Sequence, residues 1–378
     1  MKKLLLISWL AAGLLLTGLA YAADKTEALL DLLVEKGIVT KDEAAGLRAD
    51  LAVKEQDEKS QKKEFNITAG KLIKLSGYTQ VRYRNGGDIN DTFDIRRARL
   101  SIYGDITERF DYKTQVEFGG TSSPFLLDAA IGYKLAPYLK LTAGQFKIPF
   151  SRENLISSSK LETINRSQVV EALVARGKDV IGNQNGRDIG VQASGSFLPI
   201  QDNYLFDYAV GVFNGNGINR LDNNEQKDII GRLVAHPIKD LSVGGSFYTG
   251  RATLNTTPAR PEQKQDRDRI GAELAYTHDP ISLKWEYISG DDGTTNKDGW
   301  YAQAGYFIIP KKLQGVFKFD TYNPDTKVKK DGTNVYTAGI NYYFNKWAFA
   351  QVNYELKDEK QEREIPNNTL TGQLTLQF

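Results

Sequence analysis

The stretch FDIRRARLSIYGD, residues 93–105, sets Arg96, Arg97 and Arg99 in a run that otherwise alternates as a β-strand. Guanidinium groups are permanent cations with donors in a fixed fork, suited to carboxylates and phosphates. Ala98, Leu100 and Ile102 share one face of this strand. Arg97 and Arg99 share the other with Ser101, Tyr103 and Asp105. Arg96 breaks the phase, so it belongs at the outer rim or at a β-bulge. Just upstream, LSGYTQVRYR places Arg82 and Arg84 in phase with Ser76, Tyr78 and Gln80. Two consecutive strands thus carry one basic stripe. The elements around that stripe decide what it can bind.

The chain has 378 residues, no cysteine, and 25% charged residues. Lys2 and Lys3, the apolar run 4–19 and Ala20-Tyr21-Ala22 read as a secretory signal peptide, residues 1–22. Without Lys2 and Lys3 the 49 basic residues become 47, equal to the 47 acidic ones. Bulk charge therefore points to no nucleic-acid partner. No later run is apolar enough for a transmembrane helix. Residues 23–65 read differently from the rest. Leu29, Leu30, Leu32 and Leu33 lie at helical spacing before Gly37, and Thr40 to Glu43 forms a capping box. This segment is expected to be helical, as a coiled-coil tether on the periplasmic side or as a mobile spacer.

From Lys74 onward the period is two. Runs of about nine to eleven residues alternate in polarity, as barrel strands do. In FDYKTQVEF, Tyr112, Thr114, Val116 and Phe118 oppose Asp111, Lys113, Gln115 and Glu117. In LLDAAIGYKL, Leu127, Ala129, Ile131 and Tyr133 oppose Asp128 and Lys134. Seven tight connections interleave with eight longer ones, giving sixteen strands. An even strand count, short turns at one end and long loops at the other predict an all-β architecture: a sixteen-stranded antiparallel transmembrane β-barrel over residues 66–378. One face then meets outer-membrane lipid and the other meets water. The basic stripe falls on the water-filled side, since arginine facing lipid near the midplane costs about 2–4 kcal/mol. Aromatic residues beside turns, such as Tyr138, Tyr204 and Trp347, suit the interfacial girdles.

The third long connection, residues 147–186, is far longer than a hairpin needs. It carries Lys147, Arg152, Lys160, Arg166, Arg176 and Lys178 against Glu153, Glu162, Glu171 and Asp179, with a helical segment expected over 159–175.

The run FDIRRARLSIYGD, the strand ending Val116-Glu117-Phe118, LLDAAIGY and GQFKIPFS together resemble the phosphate-selective porin O/P family. The motifs are clear over residues 74–200, and the strand pattern covers the remainder. The resemblance implies an outer-membrane porin that is a homotrimer. It implies a third loop folded into the channel as a constriction and arginines lining the passage. On that basis Arg96, Arg97 and Arg99 match the family's second-strand arginines, and Lys147 matches the lysine opening the constriction. Arg82, Arg84, Lys113, Lys134 and Arg152 join them as expected pore-lining, anion-binding residues. Phosphate is the expected small anion. The terminal Phe378 resembles the signal read by barrel assembly machinery.

Other readings stay open at this stage. Lumen-phase acids such as Asp105, Asp111, Glu117 and Asp128 also suit a non-selective diffusion porin with the N-terminal segment as an envelope tether. A barrel hydrolase needs a nucleophile with a positioned base. The only histidines, His236 and His278, sit at turns beside Pro237 and near Pro280, so no enzyme activity is expected. No cysteine–histidine metal spacing exists, and no cofactor is expected.

Overall fold

The computed structural model describes residues 32–37, 40, 44, 72–86, 89–120, 123–200, 203–254, 263–359 and 366–378. The chain divides into two units, Met1–Asn66 and Ile67–Phe378. In the first, a helical turn over residues 32–35 is closed by Gly37. Its φ of 65° is the left-handed stop that glycine adopts without strain. Its N–H donates to the Val34 carbonyl at 3.0 Å. The leader and most of the expected helical segment, including three of the four capping-box positions, lie outside the described residues.

The second unit is one closed antiparallel sheet. Its strands are β1 (Lys74–Gly86), β2 (Ile89–Asp105), β3 (Phe110–Glu117), β4 (Phe125–Ala136) and β5 (Leu139–Lys147). Then come β6 (Arg187–Ile200), β7 (Asn203–Phe213), β8 (Asp228–Ile238) and β9 (Leu241–Thr249). The last of these resumes after Gly250 as Arg251–Leu254, paired to the same neighbour. β10 (Gln263–His278), β11 (Ile281–Asp292), β12 (Thr295–Ile309) and β13 (Leu313–Asn323) follow. β14 (Thr333–Tyr343), β15 (Ala348–Glu359) and β16 (Thr369–Gln377) complete the sixteen. β16 pairs with β1, Leu374 opposite Val81, which closes the barrel. Phe378 and Gly77 exchange backbone hydrogen bonds of 3.0 Å each way across this seam. Closure leaves no sheet edge in hydrocarbon, where each unpaired peptide group is costly.

The expected short turns all fall between strands. Two of the expected long loops are instead continued strands. β1 and β2 pair up to Gly86 and Ile89, and β11 and β12 up to Asp292 and Thr295. Polar, charged sequence there had masked hairpins that rise beyond the apolar band. Outward residues are apolar and exposed, including Phe93, Ile131, Val191, Ile270 and Leu376.

Two of the register shifts in the sheet bear on the bore. Between β1 and β2, Gln80 pairs with Arg97 but Val81 pairs with Ile95, so Arg96 is the extra residue of a β-bulge. A second register shift, between Gln115 and Val116, lies opposite Leu127. Leu127 was expected to face lipid and is instead fully buried.

The backbone itself restricts β5. Gly144 has φ 126°, and a Cβ there would stand 2.1 Å from the Ala129 carbonyl oxygen. Gly372 in β16 has open space around its Cβ position. Gly144→Val is therefore expected to abolish the heat-modifiable, fast-migrating form of the folded barrel on electrophoresis, whereas Gly372→Val retains it.

Candidate functional site: the basic wall and the inward loop

Residues 148–186 fold into the barrel. Their short helices are α1 (Arg152–Leu155) and α2 (Gln168–Leu173), with a 3-10 turn at Ser158–Lys160. The expected helix over 159–175 is thus broken. Residues 161–167 are free of helix, and their backbone and side chains bond across the lumen instead. Ser167 caps α2, its hydroxyl accepting from the Val170 N–H. It also donates to Glu153 from its N–H and its hydroxyl, at 2.9 and 3.1 Å.

One side of α2 forms a second apolar core inside the lumen. Val169, Val170, Ala172, Leu173, Val174 and Ala175 bury against Ile148, Phe150, Phe213, Ile230, Tyr248, Ile288 and Tyr322. The wall strands β7, β8, β9, β11 and β13 supply the last five. An aqueous barrel interior would not hold apolar side chains, so this core fixes the loop against that wall.

Acids of the far wall complete the anchoring. Glu286 on β11 accepts from the N–H groups of Arg152 and Glu153 at 2.8 and 3.0 Å. Asp320 on β13 accepts from the Gln168 N–H at 2.7 Å. Glu355 on β15 accepts from the Asn165 amide at 2.7 Å. The Asn353 side chain takes the Ile164 N–H at 2.7 Å. Glu162 of the loop pairs with Lys284 at 2.8 Å. Far-wall carboxylates are thereby engaged by loop donors.

The near wall is different. Because of the bulge, Arg96 and Arg97 both reach inward. Arg96 donates to the Asn165 side-chain oxygen at 2.7 Å, and Arg97 to that of Gln80 at 3.1 Å. Gln80 in turn donates to the Ser158 carbonyl at 3.3 Å. Lys147 donates to the Leu155 and Ile156 carbonyls at 3.0 and 2.9 Å. Arg166 donates to the Glu153 and Ile156 carbonyls and to the Ser158 hydroxyl. Arg176 donates twice to the Asn154 side-chain oxygen, at 3.0 and 2.7 Å. These five cations hydrogen-bond neutral groups, and their charges lie close enough to act on one another. Glu171 stands at 4.0 Å from Arg176. Burial pushes the Glu171 carboxyl up, but Arg176 and Arg166 outweigh it and hold its pKa below the usual range.

The remaining expected residues are neutralised or lie elsewhere. Arg99 pairs with Glu117 at 2.6 Å, both buried. Arg82 and Arg84 converge on Asp94, at 2.6 and 3.1 Å, on the loop side of the cluster. Lys113 meets Asp128 at 2.6 Å. Lys134 bridges Asp105 and Asp111 near the short turns, at 2.8 and 3.5 Å. Arg152 sits beside Glu286 on the far wall, and its Nη1 has no partner among the described residues. Arg187, absent from the expected set, is fully buried and held by Asp128 at 2.6 Å. Arg166 and Arg176 were legible only as loop cations.

No helix among the described residues is long and apolar enough to cross a membrane. A closed sixteen-stranded barrel with an apolar belt and a polar bore is an outer-membrane channel. More narrowly, the chain belongs to the family phosphate-selective porin O and P, which it matches over residues 74–378. It is 24% identical to an uncharacterized protein of Aquifex aeolicus over 90% of this chain and 93% of that one. Among solved structures it resembles the anion-selective porin from Comamonas acidovorans, with TM-score 0.60 and 14% identity, over 81% of this chain and 98% of that one. It also resembles the trimer form of OmpT of Vibrio cholerae, with TM-score 0.59 and 13% identity, over 81% and 99%.

The loop core generates a test. Leu173→Ala deletes packing worth about 2–5 kcal/mol. With the loop loosened, single-channel records should show a larger, flickering conductance than wild type, in a barrel that remains heat-modifiable.

Proposed function

We propose that this porin passes small anions, phosphate among them, between its basic second-strand wall and the inward loop. One observation carries the reading. Arg96, Arg97 and Lys147 hydrogen-bond neutral partners, while far-wall acids are engaged by loop N–H groups and amides. The positive field of the near wall is therefore left for a permeating ion. Planar guanidinium donors match the oxygen geometry of phosphate. In this reading residues 147–186 are the constriction loop, and Arg82 and Arg84 form an approach to it from the loop side. The channel works as a homotrimer, as OmpT of Vibrio cholerae occurs in a trimer form.

The same proposal covers the rest of the chain. Residues 1–22 are a cleaved export signal, 23–65 a periplasmic helical tether, and 66–378 the barrel in lipid. Phe378 serves as the assembly signal.

A hydrolytic role fits the geometry poorly. Ser196 and His236 both bond Asp207, at 2.6 and 2.9 Å. The carboxylate stands between hydroxyl and imidazole, so the imidazole is not placed to take the serine proton. We infer transport without catalysis.

Reversal potentials in a tenfold KCl gradient test the anion reading. A charge 4 Å from a permeating ion contributes roughly 1 kcal/mol in water and about 4 kcal/mol at an effective dielectric near 20. The double variant Arg96→Gln, Arg97→Gln is expected to move the reversal potential toward cation preference and to weaken block of chloride current by phosphate. Equal potentials in folded, conducting channels would refute the assignment.

A further inference from the structure

The outer surface carries a groove that channel function does not use. It has a volume of about 730 Å³ and runs over β11 to β16 on the side nearer the short turns. Its floor is made by small outward residues, Ala304, Gly315 and Ala338. Bulkier Tyr306, Phe317 and Ile340 stand around it. Register explains the notch. Gly315 pairs with Tyr306 on one side and Ile340 on the other, so a position facing lipid has no side chain between two large ones.

The rim below the groove is unusually basic. The turn after β12 contains Lys311 and Lys312, and the turn after β14 contains Lys346; neither contains an acid. All three lysines are exposed. Lys312 Nζ lies 5.9 Å from the Tyr342 ring centroid, and Lys346 Nζ lies 4.4 Å from that of Trp347. Other turns on this rim set Glu108 beside Arg109 and Lys239 beside Asp240, or carry Asp279. Positive charge is therefore concentrated where the groove opens.

We propose that this groove and its lysine rim form a binding site for an anionic glycerophospholipid of the periplasmic leaflet. One acyl chain lies along Gly315 between Tyr306 and Ile340. The headgroup phosphate rests between Lys311, Lys312 and Lys346. Charge complementarity selects the occupant: apolar surface alone would take any chain, but the rim favours a headgroup with net negative charge.

Native mass spectrometry of the detergent-solubilised full chain, titrated with phosphatidylglycerol or phosphatidylcholine of matched acyl chains, tests this. Wild type is expected to retain phosphatidylglycerol about tenfold more strongly. The variant Lys311→Glu, Lys312→Glu should erase that preference. Gly315→Leu should weaken retention of both lipids. A Cβ at Gly315 meets nothing closer than Ile308 Cδ1 at 3.6 Å, so this change is compatible with the fold. Heat-modifiable migration checks that each variant is folded. Equal retention of the two lipids by wild type, or unchanged preference in the lysine variant, would overturn the site. Loss of the oligomer in Gly315→Leu, with lipid retention intact, would assign the groove to a second copy of the chain instead.

Discussion

A peptide group in hydrocarbon has no water to bond, and every other feature of this barrel follows from that constraint. The sheet must close, so β16 returns to β1 and the last residue bonds Gly77. Closure fixes one face of every strand toward lipid and the other toward water. Side chains then sort by alternation, and polar residues collect in the bore without any local signal that calls them there. The basic wall is possible only because the barrel has already made an interior that tolerates charge.

That interior poses a problem of its own, because a bore lined only by polar chains would hold a long loop loosely. The loop meets it with two kinds of contact. Val170 and Leu173 bring a small apolar core into an aqueous lumen. Glu286 and Asp320 supply acceptors for N–H groups at the starts of α1 and α2, which a helix cannot satisfy itself. Apolar burial is favourable wherever it excludes water, while the directional hydrogen bonds to the carboxylates fix where each helix start sits. An unsatisfied carboxylate at either position would cost more than the hydrogen bond gains, so the loop and the far wall specify each other.

The fold was legible because the period-two pattern is long and punctuated by turns. Arg97 and Arg99 were read as inward from Ala98, Leu100 and Ile102 alone. Arg96 shows where such reading reaches its limit. Its break in phase leaves an outer-rim place and a β-bulge open, and the partner strand decides for the bulge, through Gln80 opposite Arg97 and Val81 opposite Ile95. Leu127 departs from its alternation for the same reason, the register shift between Gln115 and Val116. Pairing partners were less legible still. The acid that neutralises Arg99 is eighteen residues away and that of Arg187 fifty-nine. Arg187 opens β6 directly after the loop, where no preceding strand residues define a phase. Residue type revealed a supply of cations, but not which of them a carboxylate had already taken.

That distinction determines the electrostatics of the passage more than the count of basic residues does. Arg99 and Glu117, at 2.6 Å, present a near-neutral pair to any ion more than a few ångströms away. Arg97, two residues earlier, hydrogen-bonds an amide oxygen and forms no ion pair among the described residues, so less of its field is cancelled. At physiological ionic strength that field decays over about 8 Å, so it acts across a narrow gap but not across a wide bore. The inward loop therefore does more than obstruct. In the proposed reading, by bringing Arg166 and Arg176 toward Arg96 and Arg97 it sets several cations, with Glu171 as their nearby acid, around the path of a permeating anion. The same far-wall acids that anchor the loop are engaged by its donors, so they offer less attraction to a competing cation. Anchoring, and the anion preference proposed for the channel, thus draw on a single division of charge between the two walls.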